Sequence, residues 1–151
     1  MFNYKINFIP SRFFVFGCGG TGSRLVPLLT QYIASCTWLK PFEPNIYLVD
    51  FDEVETKNLA RQNFIARDVG SNKAEVLARR YSNAYGVPIT SIPFKVIPNY
   101  KLNKLTPTTE ECQNARKSND EFLSITLPKG EYPYTGFGNS IVFICVDSIE
   151  S

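Results

Sequence analysis

Arg12-Phe13-Phe14-Val15-Phe16-Gly17-Cys18-Gly19-Gly20-Thr21-Gly22-Ser23 is the stretch whose reading decides the fold. Four hydrophobic residues, Phe13 to Phe16, run straight into a glycine-rich turn, and an amphipathic stretch, Leu25 to Ile33, follows at once. That order predicts a buried strand, a tight loop and a helix whose N-terminus points into a cleft. Side chains at Gly17, Gly19, Gly20 or Gly22 would keep a phosphate from the backbone N–H groups, whose dipoles favour negative charge. The stretch therefore predicts a nucleotide site without saying which nucleotide. A glycine turn that merely packs helix on strand is the plainer alternative.

Working outward, Asn45-Ile-Tyr-Leu-Val-Asp50 is a second, almost wholly apolar strand, buried on both faces. Strand, helix and strand make a βαβ unit, right-handed by strong preference, so both strands run parallel. The helix between them carries Leu25, Leu28, Leu29, Tyr32 and Ile33 on one face, with a kink expected at Pro27. Thr37 to Pro44 reads as a connecting loop, and Met1 to Pro10 as an edge strand or lead-in. Thr56 to Gln62 predicts one or two helical turns. A longer helix opens at Asp68 to Glu75, with Asn72 and Glu75 spaced as a capping box. Its apolar face is Ala74, Leu77, Tyr81 and Ala84, and Gly86 ends it. Pro88 to Ile97 is a third, more broken strand, and Ile141 to Asp147 a fourth buried one. Residues 98–138 form an insertion or long loop region, helical around Glu110 to Arg116. The predicted class is α/β, a doubly wound, mostly parallel Rossmann-like sheet in a single domain spanning residues 1–151.

Bulk composition narrows the function. The 151 residues are 44% hydrophobic and 20% charged, an ordinary soluble globular balance. A formal net charge of +2 argues for neither nucleic acid nor an anionic membrane as partner. No apolar run approaches the ~20 residues that span a bilayer, and the N-terminus does not read as a signal peptide, so a cytoplasmic protein is expected. Cys18, Cys36, Cys112 and Cys145 form no C-x-x-C pair and read as reduced thiols. The absence of histidine removes His-based triads and His-metal sites together.

The glycine loop satisfies G-x-G-x-x-G, and Asp50 stands where an acidic residue binds ribose hydroxyls. That pair suits a nicotinamide-dependent oxidoreductase as well, although the spacing exceeds the ~20 residues usual for its fingerprint. Asn58, Arg61 and Gln62 discriminate, because their i, i+3, i+4 spacing gives them one helical face. Lys73, in the first turn of the next helix, can reach the same cleft. A triphosphate split at its α-phosphorus needs such cations, since charge develops on the departing pyrophosphate. Asp147 can hold Mg²⁺ together with phosphate oxygens. Singly, Arg61 and Lys73 read as solvated helix surface and Asp147 as a strand-end cap; the conjunction points to ATP.

Five segments in order, residues 17–23, 48–54, 58–62, 68–74 and 145–147, resemble the ThiF/MoeB/HesA family of ubiquitin-activating-enzyme-like adenylyltransferases. The loop wording and the helix through Pro27 look closest to ThiF-type proteins of PRTRC plasmid and phage systems. The resemblance covers roughly residues 12–96 and 140–148. It implies ATP binding and adenylation of the C-terminal carboxylate of a ubiquitin-like or sulfur-carrier protein. Carried over by position, Gly17, Gly19, Gly20 and Gly22 line the nucleotide, and Asp50 holds the ribose, with Asp52 beside it in the same motif. Asn58, Arg61, Gln62 and Lys73 surround the phosphates, and Asp147 positions Mg²⁺. Arg61, Lys73 and Asp147 would carry catalysis. The carboxylate is itself the nucleophile, so no general base is needed.

Many relatives carry a catalytic cysteine or paired zinc ligands beyond the Asp147 position. The four cysteines here match neither, so no thioester step is expected within this chain. The family's fold also continues with further strands, which would leave Ile141 to Asp147 with an uncovered side. The chain then reads as the N-terminal part of an adenylation domain, acting as a dimer or with a partner subunit. A non-catalytic assembly partner or degenerate remnant is the remaining alternative.

Overall fold

The computed structural model describes residues 9–96, 109–126 and 140–146. Among the described residues, strand β1, Arg12–Phe16, lies inside a four-stranded sheet with β2, Asn45–Val49, on one side and β4, Ser140–Ile144, on the other. Strand β3, Ile89–Ile92, adds beyond β2, giving the order β3-β2-β1-β4 with every pairing parallel. Phe13 to Phe16 occupy the centre because Phe13, Phe14 and Val15 are withdrawn from water there, and Phe16 in part. Phe14 is 0% exposed, and burial of one such ring stabilises by ~1.5–3 kcal/mol.

Pleating sends alternate residues to opposite faces. Phe13 and Val15, with Ile46 and Leu48, pack under helix α1, Gly22–Ser35, and helix α2, Lys73–Tyr85. Phe14, Tyr47, Val49 and Ile92 form a second cluster on the other face. There helix α3, Glu110–Thr126, places Phe122 6.1 Å from the rings of both Phe14 and Phe16. Helices on both faces of a parallel sheet make the doubly wound class expected from the sequence.

The helical faces are rotated from those read off the sequence. In α1, Val26, Leu29, Thr30 and Ile33 are buried, whereas Leu28 and Tyr32 are exposed. In α2, Ala74, Val76, Leu77 and Ala78 are buried and Ala84 is exposed. The reason is that α1 and α2 share one sheet face and also pack against it, which selects a stripe that apolar spacing alone does not fix. Gly86 ends α2 as expected, in the left-handed conformation at φ 66°. The third strand is shorter than Pro88–Ile97, and α3 runs well past Arg116. Most of Met1–Pro10, and residues 97–108 and 127–139, which include much of the insertion region 98–138, lie outside the described residues.

Strand β4 is not buried on both sides. Val142 and Ile144 are exposed while Ile141 and Phe143 pack on the first cluster. Among the described residues it is the last strand of the sheet, and only the face carrying Ile141 and Phe143 is packed.

Pro27 sits inside α1 and donates no hydrogen bond to the Ser23 carbonyl one turn earlier. That carbonyl accepts instead from Asn63 Nδ2 at 3.2 Å. The helix continues because a distant side chain fills the vacancy left by proline.

Candidate nucleotide cleft

The glycine turn leaves β1 with Gly17 at φ +88°, a conformation that strains any other residue. Its Cβ position is also only 2.8 Å from the carbonyl of Cys145, which follows β4. Gly22 begins α1 so close to the turn that a Cβ there would lie 1.8 Å from the Gly17 carbonyl oxygen. These two glycines let turn, strand and helix meet. Gly19 is different. It borders open space, with Gln62 Nε2 3.9 Å from its Cβ position.

Asp50 ties the turn to the end of β2. Its Oδ2 accepts the Cys18 N–H at 2.6 Å and its Oδ1 the Asp52 N–H at 2.8 Å. Burial pushes the Asp50 carboxyl above the usual carboxylate range, against the pull of those two N–H donors and of Lys73. Each oxygen still has a lone pair for a ligand hydroxyl. Burial likewise pushes the Cys18 thiol up, so it is no nucleophile in this setting.

The second wall is the segment from Glu55 to Asp68. A 3-10 turn, Thr56–Asn58, is closed by Asn58 Oδ1 accepting the Glu55 N–H at 2.8 Å. The Asn58 carbonyl then accepts the N–H groups of Arg61 and Gln62 at 3.2 and 2.8 Å. This compact turn sets all three side chains against the glycine loop, as the i, i+3, i+4 spacing predicts.

Gly17, Gly19, Asp50, Asp52, Asn58, Arg61, Gln62 and Lys73 all line one cleft of about 480 Å³. Phe16, Phe51, Phe94 and Lys95 also border it, with Lys95 Nζ 5.7 Å from the Phe51 ring centre. Gly20 and Gly22 are not in the lining. Lys73, only 8% exposed, is held by Asp52 at 3.0 Å, while Arg61 is exposed and, among the described residues, makes no ion pair. Gln62 Oε1 is buried without a hydrogen-bond partner, an acceptor that a ligand hydroxyl or amine can satisfy. Asp147 lies outside the described residues. Among the described residues no three His, Cys, Asp or Glu side chains gather to hold a metal.

The sequence carries no pattern that marks the network behind Arg61 and Gln62. Asn63 accounts for most of it. Its N–H donates to Ser23 Oγ at 3.0 Å and its Nδ2 to the Tyr81 hydroxyl at 2.7 Å, beside the bond to the Ser23 carbonyl. Its own carbonyl accepts Arg80 Nη1 at 3.0 Å, and Arg80 Nη2 is ion-paired with buried Asp68. Asp68 in turn accepts the Ile65 N–H at 2.8 Å. Burial alone would raise the Asp68 carboxyl, but the Ile65 N–H and Arg80 outweigh it and hold it below the usual range. Lone polar residues far apart in sequence give no spacing signal; only Ser23, inside the glycine stretch, could have been flagged.

A parallel doubly wound sheet with a glycine turn and a polar cleft at the carboxyl ends of its strands defines a nucleotide-cleft α/β domain. The chain belongs to the ThiF family, whose family model matches residues 7–151. A structure described as TcdA (CsdL) superposes with a TM-score of 0.53 at 22% identity, over 92% of this chain and 42% of that one. It shows the same fold. E. coli tRNA N6-threonylcarbamoyladenosine dehydratase, TcdA, in complex with ATP is 27% identical, with a TM-score of 0.46, over 62% of this chain and 36% of its own. The microcin C7 biosynthetic enzyme MccB in complex with N-formylated MccA is 28% identical, with a TM-score of 0.48, over 64% and 26%. The chain thus spans less than half the length of each of these proteins. No match was found among curated proteins. Among the described residues no helix is long and apolar enough to cross a membrane.

Proposed function

We propose that the chain is an ATP-dependent adenylyltransferase domain that activates the C-terminal carboxylate of a ubiquitin-like or sulfur-carrier protein. The observation that carries this reading is the convergence of Gly17, Gly19, Asp50, Arg61 and Lys73 on one cleft, in a chain of the ThiF family. In the reaction, a carboxylate oxygen of the carrier forms a bond to the α-phosphorus of ATP, and the bond from that phosphorus to the β-phosphate oxygen breaks. Pyrophosphate leaves with the electron pair, and no proton has to be removed from the attacking group. Arg61 stabilises the charge on the departing pyrophosphate. Lys73 joins it once phosphate oxygens share its ammonium with Asp52. Asp50 accepts a ribose hydroxyl on a remaining lone pair, and Gln62 supplies a further acceptor at the glycine turn.

Mg²⁺ would supply charge neutralisation for the phosphates. The described residues offer it no prepared cage, since the Asp50 oxygens hold two amides and Asp52 holds Lys73. Asp147 is the residue proposed to reach it. The adjoining proposal is that the domain works as a dimer or with a partner subunit.

Calorimetric titration with ATP and with NADH, each with Mg²⁺, tests the reading. ATP is expected to bind and NADH not to; no ATP binding at millimolar nucleotide, or preference for NADH, rejects it. With a cognate carrier, Arg61→Ala and Asp147→Ala are each expected to abolish ATP–pyrophosphate exchange. Because Arg61 is exposed, its substitution should move stability by no more than about 0.5 kcal/mol.

A further inference from the structure

A second cavity of about 470 Å³ shares no lining residue with the nucleotide cleft. Arg67, Asp68, Val76, Arg79, Arg80 and Asn83 line it. Three guanidinium groups thus meet one carboxylate, and that carboxylate is already ion-paired with Arg80. Asp68 is 3% exposed, and its Oδ2 accepts both Arg80 and the Ile65 N–H. Arg80 is fixed in turn by Asp68 and by the Asn63 carbonyl, so it forms a rigid cationic floor. Arg67 and Arg79 are exposed and, among the described residues, have no ion pair. Such a surplus of positive charge around a concavity calls for an anionic occupant.

The neighbours of Arg67 say which kind. Ile65 is 47% exposed and Val69 is 42% exposed, two residues to either side of it on the same short turn and outside the cavity lining itself. A free phosphate or a nucleic-acid backbone has nothing to place on these side chains. A peptide with alternating acidic and apolar residues has both. The cations are arginines, whose planar forks match carboxylates in bidentate fashion, and Asn83 adds an amide beside them. We propose that Arg67, Arg79 and Arg80, with Ile65 and Val69, form a docking site for an acidic-apolar segment of a partner protein.

The site stands apart from the nucleotide reading and is tested without ATP. A short fluorescein-labelled peptide alternating glutamate and leucine is titrated with the whole chain at low salt and followed by anisotropy. It is expected to bind, and its glutamine–leucine counterpart to bind at least about tenfold more weakly, since ion pairs of this exposure add modestly but together. Arg67→Gln with Arg79→Gln should weaken the glutamate peptide by a similar factor while leaving the urea midpoint unchanged, because neither side chain holds the fold. On the unaltered chain, affinity should fall as salt rises. Equal binding of both peptides, binding of neither, or salt-independent affinity overturns the proposal. So does stronger competition by inorganic phosphate or by a single-stranded oligonucleotide than by unlabelled peptide.

Discussion

The two walls of the nucleotide cleft are built by opposite means. One wall, the turn from Gly17 to Gly22, is backbone held in place by missing side chains: Gly17 clears Cys145, and Gly22 clears Gly17. The other, from Glu55 to Asp68, is side chains tied mostly to backbone, with Asn58, Asn63 and Asp68 each closing a loop through a hydrogen bond. The first wall is rigid because nothing else fits. The second is rigid because the groups that close its turns are paired, Gln62 Oε1 standing apart, and it is only as firm as the weakest of those bonds.

Gly22→Ala should show the largest effect. With a methyl 1.8 Å from the Gly17 oxygen, helix and turn must separate, at an expected cost upward of ~3 kcal/mol in urea unfolding. A midpoint near that of the parent would mean the glycine wall yields as readily as the other.

On the second wall, Arg80→Met leaves Asp68 charged and buried without its partner. The expected loss is ~3 kcal/mol, read from the same unfolding curves at neutral pH. Its pH dependence follows from Asp68. The folded carboxyl titrates below its unfolded value, so its contribution is fully present above the ordinary aspartate range. It disappears as pH falls through the folded pKa. Acid titration of stability should therefore be shallower in Arg80→Met than in the parent, and an equal slope would discount the pair.

Asn63→Ala is expected to cost ~1–3 kcal/mol, since the Ser23 carbonyl and the Tyr81 hydroxyl both lose their donor. Hydrogen exchange at the amides of Arg61 and Gln62 should quicken, and unchanged protection would separate Asn63 from the cleft. Gly20→Ala gives the smallest effect. Its Cβ meets nothing within 4 Å and its φ is ordinary, so stability should stay level or rise by ~0.4–1 kcal/mol. Any fall in ATP affinity there would be due to the ligand and not the fold.

The same contrast explains what could be read in advance. Glycines and apolar runs are local signals, so β1, β2, the glycine turn and the Gly86 stop of α2 follow from residue order. Asn58, Arg61 and Gln62 come together because their spacing survives in a tight turn. What stayed hidden depends on distant pairing. Asn63 matters through Ser23, forty residues earlier, and Tyr81, eighteen later, and no periodicity connects them. The residue pattern of β4 did not show its exposed side, which only the family resemblance suggested, because an apolar run looks the same in a central strand and at an edge. The PRTRC-like wording of the glycine loop is finer than the family match resolves.

Pro27 and Asn63 are bound into one mutational history. Restoring an N–H at position 27 by Pro27→Ala would give the Ser23 carbonyl its ordinary helical partner, and Asn63 would then be cheaper to lose. Replaced in the reverse order, Asn63 leaves that oxygen stranded until the proline changes. The route between the two arrangements is therefore ordered: the proline must change first, and while it stands it holds the asparagine behind the cleft in place.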